Sequence, residues 1–531
     1  MNCIKIAVLT VIALLTLPSC DKWLTLEPED GVIREHFWKT KEEAQSAVMG
    51  CYSALMEDDM MQKYFLWGEL RADMVGLTST AKDALKYMKN GEITSSNSYT
   101  TWSYFYKAIN QCNTVIELAP LVREEDMSFS ESLLRQFQAE AVCIRSLSYF
   151  YLLRTFRDVP YITAASIYDD QTFSIPKTQQ ADIIDSLIVS LRAVENDLPL
   201  TYNDLASTKG RFTRYGLESL LADIYLWKGD YDACIDLCSQ IEGSGKYSLI
   251  RVGREEVLVE NLTTGVPDTV YYPNTGDIEA MFNALYVNGN SVESIFELQF
   301  GTDKENGMLS LFLPTTPPVQ AKMDNFNENF PSSLIDRGWF DIRAEGFSYK
   351  QGYVWKWIGL SRDEFTYRQS GQRNTNWIFY RLADVILMHA EALTQKAIQN
   401  GNNQTMLNEA LGLLKQIRDR ANAPESTDLL YQSTGLIDAR TLEEFILNER
   451  CREFTFEGKR WFDVLRHARR DNYSERNLNY LLRLAIYAAD PEKVNSLQSK
   501  WSSNFGSHYL PINEDELKVN KQLVQNEFYQ Q

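Results

Sequence analysis

Apolar residues recur every three or four positions along most of this chain. From Glu131 to Arg157, the positions Leu134, Phe137, Ala141, Ile144, Ser148 and Tyr151 form one stripe with charges opposite. That spacing predicts an amphipathic helix, which Asp158-Val159-Pro160 would stop. Two helix pairs follow the same rule, Thr213 to Trp227 with Tyr231 to Ile241, and Tyr380 to Ile398 with Gln404 to Ala421. Lys228-Gly229-Asp230 and Asn400-Gly401-Asn402-Asn403 supply the tight polar turns between their members. The first pair carries Ala222, Tyr225, Gly229, Tyr231 and Ala233, and such units are TPR-like. Between residues 245 and 375 the period is lost among Gly, Pro, Asn, Thr and aromatics. Short alternating stretches there, Ser294 to Phe300 and Gly352 to Ile358, predict strands and loops set into a helical scaffold. Trp355 and Trp357 flank Lys356 on one of these stretches, which predicts an exposed face.

The first residues break the pattern. Lys5, then the apolar run Ile6 to Leu17, then Pro18-Ser19-Cys20 read as an export leader of residues 1–19. The run is too short to span a bilayer, which takes about 20 residues. Cysteine directly after Leu-Pro-Ser resembles a bacterial lipobox, which would make Cys20 the lipid attachment site.

Composition then narrows the partners. A formal net charge of −19 argues against DNA, RNA or anionic lipid, each of which would demand a basic face. Cys51, Cys112, Cys143, Cys234, Cys238 and Cys451 are scattered on apolar stretches and read as small core residues. His36, His389, His467 and His508 stand outside ligand spacing, so no metal site or cofactor is expected. There is no G-x-S-x-G elbow and no H-E-x-x-H, and the stretch from Gln240 to Tyr247 lacks the first glycine and the final Ser or Thr of a phosphate loop. Glu449 and Glu453 share one helix face, where they cannot straddle a sugar bond. With Arg450 and Arg452 interleaved they predict an ion-pair network instead.

Six blocks in order carry a family resemblance. They are Cys20-Asp21-Lys22-Trp23-Leu24 with Pro28; Trp102 to Glu117; Gln138 to Pro160; Tyr380 to Leu393; Asn448 to Arg466; and Tyr509-Leu510-Pro511-Ile512 with Gln525, Asn526 and Tyr529. On these the chain resembles the SusD/RagB family of outer-membrane nutrient-binding lipoproteins. It departs from the family's run at Ser146, where Ala is usual, and at Arg157, where Gly is usual.

The resemblance implies a mostly α fold, a superhelix of TPR-like helix pairs packed against an irregular, loop-rich half with short strands. Residues 20–240 would form the N-terminal helical region, 241–375 the loop-rich insertion and 376–531 the C-terminal RagB/SusD region, all one compact unit. It implies a surface-exposed, lipid-anchored protein that binds an oligosaccharide and delivers it to a SusC-like TonB-dependent transporter, without catalysis. A peptide ligand, a surface glycoside hydrolase and a TPR protein-binding scaffold are the alternatives. The family's groove points to Trp67, Arg71 and Asp73, to Tyr87 in the 76–99 loop, and to Tyr286 and Trp339 as ligand contacts. Trp102, Trp461 and Phe462 are expected in the core. Thr441 with Glu444 predicts a capping box, and Arg460, Asp463 and Arg466 are expected to pair with Glu449, Glu453 or Glu457 as scaffold.

Overall fold

A computed structural model describes residues 37–530 apart from 168–170, 172–173, 261–265, 331–339 and 425–435. Cys20, the leader before it and Trp339 lie outside the described residues.

The chain opens with α1 (Lys41–Leu55) and α2 (Asp58–Glu69), then the short strand β1 (Val75–Leu77) and the helix α3 (Asp83–Lys89). Thr40 caps α1 in a full capping box with Glu43. Two long helices follow, α4 (Ser103–Glu125) and α5 (Glu131–Phe156). The Ser130 hydroxyl caps α5 by accepting from the Leu133 N–H. The predicted stripe understates α5, because from Ala139 to Phe156 it is buried all round. Other elements wrap it on every side, α1 and α4 and then α6 (Gln180–Val194).

The first predicted pair is α7 (Arg214–Lys228) and α8 (Tyr231–Gly243). Gly229 turns between them at φ 89°, a left-handed conformation that glycine takes without a Cβ penalty. The chain then leaves the helical array. It makes an exposed hairpin of β2 (Arg254–Val259) and β3 (Asp268–Pro273), and then the helix α9 (Thr275–Phe282). The strands β4 (Ser294–Leu298) and β5 (Val319–Ala321), the helix α10 (Met323–Asn329) and the two-residue strands β6 (Tyr349–Lys350) and β7 (Tyr353–Val354) follow. After β8 (Trp377–Arg381) the array resumes with α11 (Leu382–Gln399) and α12 (Gln404–Arg420). Helix α8 packs directly on α11, so the intervening segment is an excursion from one continuous stack. The stack ends in α13 (Ala439–Glu453), α14 (Arg460–Arg469), α15 (Glu475–Ala488) and α16 (Val494–Ser503).

Four antiparallel two-stranded pairings carry the strands, β1 with β5, β2 with β3, β4 with β8 and β6 with β7. Strand β4 does not alternate as predicted, since all its residues are buried between the helical stack and the excursion. Trp355 and Trp357 form a single helical turn and are wholly buried, with the Trp357 N–H donating to the Phe456 carbonyl. Neither presents an exposed face.

The helix that carries Asn448 starts differently from expectation. Asp438 is its N-cap, accepting from the Thr441 N–H at 2.7 Å, and Glu444 is drawn away to Arg476. Glu449 and Glu453 do sit in an ion-pair network, but of the two interleaved arginines only Arg452 joins it, on Glu449. Arg450 turns to Asp384 and Asp463, and Glu453 takes Arg343, Arg381 and Arg420 from distant segments. The partners of the next helix were misassigned: Arg460 binds Asp73, Asp463 binds Arg450, and Arg466 binds Glu391 together with Asp463. Arg460 thus points back toward the first helices and Arg466 across to α11, while Asp463 stays on α13 through Arg450.

Two glycines set how closely the chain's ends meet. A Cβ on Gly68 would lie 1.8 Å from the Gly458 carbonyl oxygen, so α2 and the turn after α13 touch backbone to backbone. Arg71 Nη1 donates to the His508 carbonyl, and Asn513 donates to the Asn97 carbonyl. The six cysteines from Cys51 onward are free and buried, in keeping with their reading as small core residues.

Candidate functional site

A cavity of about 570 Å³ opens between α10, α13 and α15. The pairing of Val75 with Ala321 brings the end of α2 beside the start of α10, where the Asn325 carboxamide donates to the Asp73 carbonyl. Asp73 is thereby fixed at the floor. Arg460 closes on it with two parallel bonds, Nε to Oδ1 and Nη2 to Oδ2, both 2.8 Å. Burial works against the Arg460 charge, but the Asp73 carboxylate outweighs it and holds the guanidinium firmly protonated. Arg460 also donates to the Tyr480 hydroxyl, which donates to Asn448 Oδ1 at 2.5 Å. Deeper on α13, Arg452 gives two N–H bonds to Glu449.

The rim is more open. Arg483 faces Glu444 at 3.5 Å, while Glu444 also holds Arg476. Across the mouth, the Tyr487 hydroxyl is bound to Glu328 of α10. That hydrogen bond, with burial and the charges of Glu328, Asp73 and Asp324 behind it, pushes the phenol up to about 12. Beside Tyr487, Ile486 is 55% exposed and offers apolar surface at the lip. Helix α3 buttresses this wall, since the buried Lys89 ammonium donates to the carbonyls of Val75 and Tyr487. Burial brings Lys89 down to about 8.

Chemically the cavity is a set of hydrogen-bonding groups around an apolar lip. Carboxamides of Asn325, Asn329 and Asn448 both donate and accept, as do the two phenols. Its deepest acid, Asp73, has both oxygens engaged by Arg460. A second cavity, about 330 Å³, lies between α1 and β4 and is lined by Met49, Tyr52, Met56 and Leu298. Its apolar wall offers fewer partners to a polar ligand.

The residues expected at a ligand face divide sharply. Trp67 is fully buried, stacked on Phe105 at 4.9 Å with its N–H donating to the Tyr99 carbonyl. Arg71 is buried over the Trp461 ring at 4.2 Å, and burial lowers it to about 10. Tyr286 is buried, its hydroxyl donating to Glu457. These three are core residues, because a helical chain that meets its own C-terminal segment here leaves them no open face. Asp73 alone of the early group lines the cavity, and Tyr87 is 49% exposed on α3. Trp102, Trp461 and Phe462 are buried as expected.

Tyr480, Arg483, Ile486 and Tyr487 were not singled out from the sequence, although i, i+3 and i+7 spacing puts Tyr480, Arg483 and Tyr487 on one face of α15. Arg452 and Arg460, read as scaffold, belong both to the ion-pair framework and to the cavity wall, and Asn448 joins that wall through its bond from Tyr480.

Known proteins share this chain's organisation. A family model described as "SusD family" matches residues 341–529, and one described as "Starch-binding associating with outer membrane" matches residues 22–226. A SusD-like protein P38 of Formosa agariphila is 26% identical over 493 residues, covering 87% of this chain and 91% of the relative. A SusD-like protein of Bacteroides ovatus is 24% identical over 482 residues, covering 87% and 82%. Among solved structures, a SusD superfamily protein from Bacteroides thetaiotaomicron aligns at TM-score 0.66 and 22% identity, covering 93% of this chain and 99% of its own. One from Bacteroides fragilis aligns at TM-score 0.67 and 20% identity, covering 92% and 99%. The structural likenesses show the fold.

Proposed function

Because the chain belongs to the SusD family, we propose that it is an outer-membrane lipoprotein that captures an oligosaccharide and passes it to a partner TonB-dependent transporter. The observation that carries the ligand reading is the cavity between α10, α13 and α15. Sugar rings bind by laying an apolar face on a ring or aliphatic surface while their hydroxyls bond directionally. Tyr487 and Ile486 supply the surface, and Asn448, Tyr480 and the Asp73–Arg460 pair supply the partners. The family is one of binding proteins rather than enzymes.

Calorimetric titration of the mature protein against soluble glycans tests this. A binder is expected, with affinity lost in Tyr487→Ala and Asn448→Ala at unchanged melting temperature. Binding indifferent to both variants would move the site. Tyr87→Ala and Trp339→Ala test whether the two rings that sequence points to extend the surface. Cys20 is the proposed anchor, and Cys20→Ala should release the protein into soluble fractions; retention on membranes would refute the lipid.

A further inference from the structure

We infer, on the premise that the cavity binds a glycan, that it takes uncharged glycans and rejects those bearing uronate or sulfate. Three guanidiniums line it, and the two buried ones are already engaged, while Arg483 is exposed at the rim. Arg460 is closed on both Asp73 oxygens, Arg452 gives two N–H groups to Glu449, and Arg483 faces Glu444. A guanidinium recognises a carboxylate or sulfate through its forked N–H pair. Turning Arg460 toward a ligand anion would strand the buried Asp73 carboxylate, and Arg452 is itself buried on a Glu449 that Arg343 and Arg418 also hold.

The opposite wall is acidic. Glu328 and Asp324 stand exposed one turn apart on α10, and among the described residues no salt bridge involves Glu328. Lys322 lies 3.9 Å from Asp324, the outer limit of an ion pair, and Lys89 is buried on carbonyl oxygens. An entering sulfate or uronate therefore meets Glu328 at the mouth beside the exposed, loosely paired Arg483, with no open guanidinium fork deeper in the cavity. The Tyr487 phenol, raised by Glu328, Asp73 and Asp324, reports the same negative field. A hydroxyl fares differently. It donates to Glu328 and accepts from the Asn448 carboxamide, whose oxygen is turned to Tyr480, whereas an anion can only accept and leaves the wall acids facing like charge.

Matched polymers test this. Polygalacturonate would be compared with its carboxyl-reduced galactan, and a sulfated galactan with its desulfated form, by affinity electrophoresis of the mature protein. The uncharged member is expected to bind at least about tenfold tighter, the difference shrinking in Glu328→Gln. A charged member that binds tighter, and loses that affinity in Arg483→Ala, overturns the inference while leaving the glycan reading intact.

Anion probes decide charge preference without any polymer. Sodium sulfate and sodium galacturonate would be titrated against sodium chloride at equal ionic strength, following the melting temperature of parent and Arg483→Ala proteins. Sulfate stabilises folded proteins in general, so the comparison with the variant decides. Equal shifts in both proteins are expected. A rise confined to the parent overturns the inference. Polymer binding that ignores every cavity variant sinks the glycan reading instead, and the anion titration still stands.

Discussion

Helices α2 and α13, near opposite ends of the chain, are both largely buried, yet different material packs around each of them. Around α2, α4 and α5 the filling is aromatic: Tyr64 meets Tyr151 at 4.8 Å, Trp67 meets Phe105 at 4.9 Å, and Trp102 meets Phe156 at 5.1 Å. Around α13 it is ionic. Arg343 spans Asp341, Glu449 and Glu453, Arg381 spans Glu453 and Glu457, and Arg450 spans Asp384 and Asp463. Ring contacts are many and individually small, so a neighbour can relax around a loss. Buried ion pairs are few and directional, and each group depends on a named partner.

Removing a whole ring should still hurt most. In the aromatic region, Trp67→Ala should cost about 4 kcal/mol in urea unfolding and Trp67→Phe much less, because a smaller ring keeps most of the stacking on Phe105. Removing one acid comes next. Glu453 receives Arg343, Arg381 and Arg420, and Glu453→Ala should cost about 3 kcal/mol in urea unfolding, since it takes one carboxylate from three buried guanidiniums at once although each keeps another. A cost below about 1 kcal/mol would mean that the charges re-pair freely, and the contrast with the rings would collapse.

The two regions should also answer pH with opposite signs. Neighbouring guanidiniums hold Glu391 and Glu449 far below the usual carboxylate range against the effect of burial, and Asp384 is brought to about 2 by Lys459 and Arg450 in the same way. Their stabilisation is present above the unfolded value and is lost as the medium is acidified through the folded one. Glu69 lies on the aromatic side. Burial raises it from 4.5 to about 8, only partly offset by the N–H groups of Lys459 and Gly458. Its contribution is full below 4.5 and declines as pH climbs toward 8. Glu69→Gln should flatten that upper limb by about 3 kcal/mol at pH 7 and leave the acid limb in place. An unchanged upper limb would show that Glu69 is ionised in the folded protein.

The smallest expected effect is a gain. Arg157 sits at φ 71° and ψ −80°, with the Asp158 N–H bonded to the Phe156 carbonyl, a strained γ-turn at the end of α5. Arg157→Gly should raise stability by about 1 kcal/mol, read from the unfolding midpoint. A loss would mean that the contact between Arg157 and the Tyr509 ring outweighs the backbone strain.

Legibility in the sequence follows the same division. Periodicity located α5, α7, α8, α11 and α12 to within a residue or two, because each keeps an apolar stripe and a polar turn. Arg157 was legible as a departure at a glycine position, and its positive φ supplies the reason. Pairing was not legible. Asp73 and Arg460 are 387 positions apart, and no local spacing tells a guanidinium which of 72 acids it will meet. The cavity suffered for the same reason. Its floor joins residues from both ends of the chain, while an exposed and a buried tryptophan read alike in a string of letters, as Trp67 shows.

The joining of those ends has a consequence in time. Glu69 accepts from the Gly458 N–H, 389 positions later, Arg71 donates to a carbonyl 437 positions on, and Asn513 reaches back 416 positions to Asn97. A growing chain releases its N-terminus first, so α2 and β1 wait, with Trp67 and Asp73 only partly enclosed, until the last helices have been made. Long-range closure of this kind slows folding and exposes intermediates. The early helices are thus held in an unfinished state for the whole of synthesis, and the final few dozen residues act as the clasp that completes a structure begun at its opposite end.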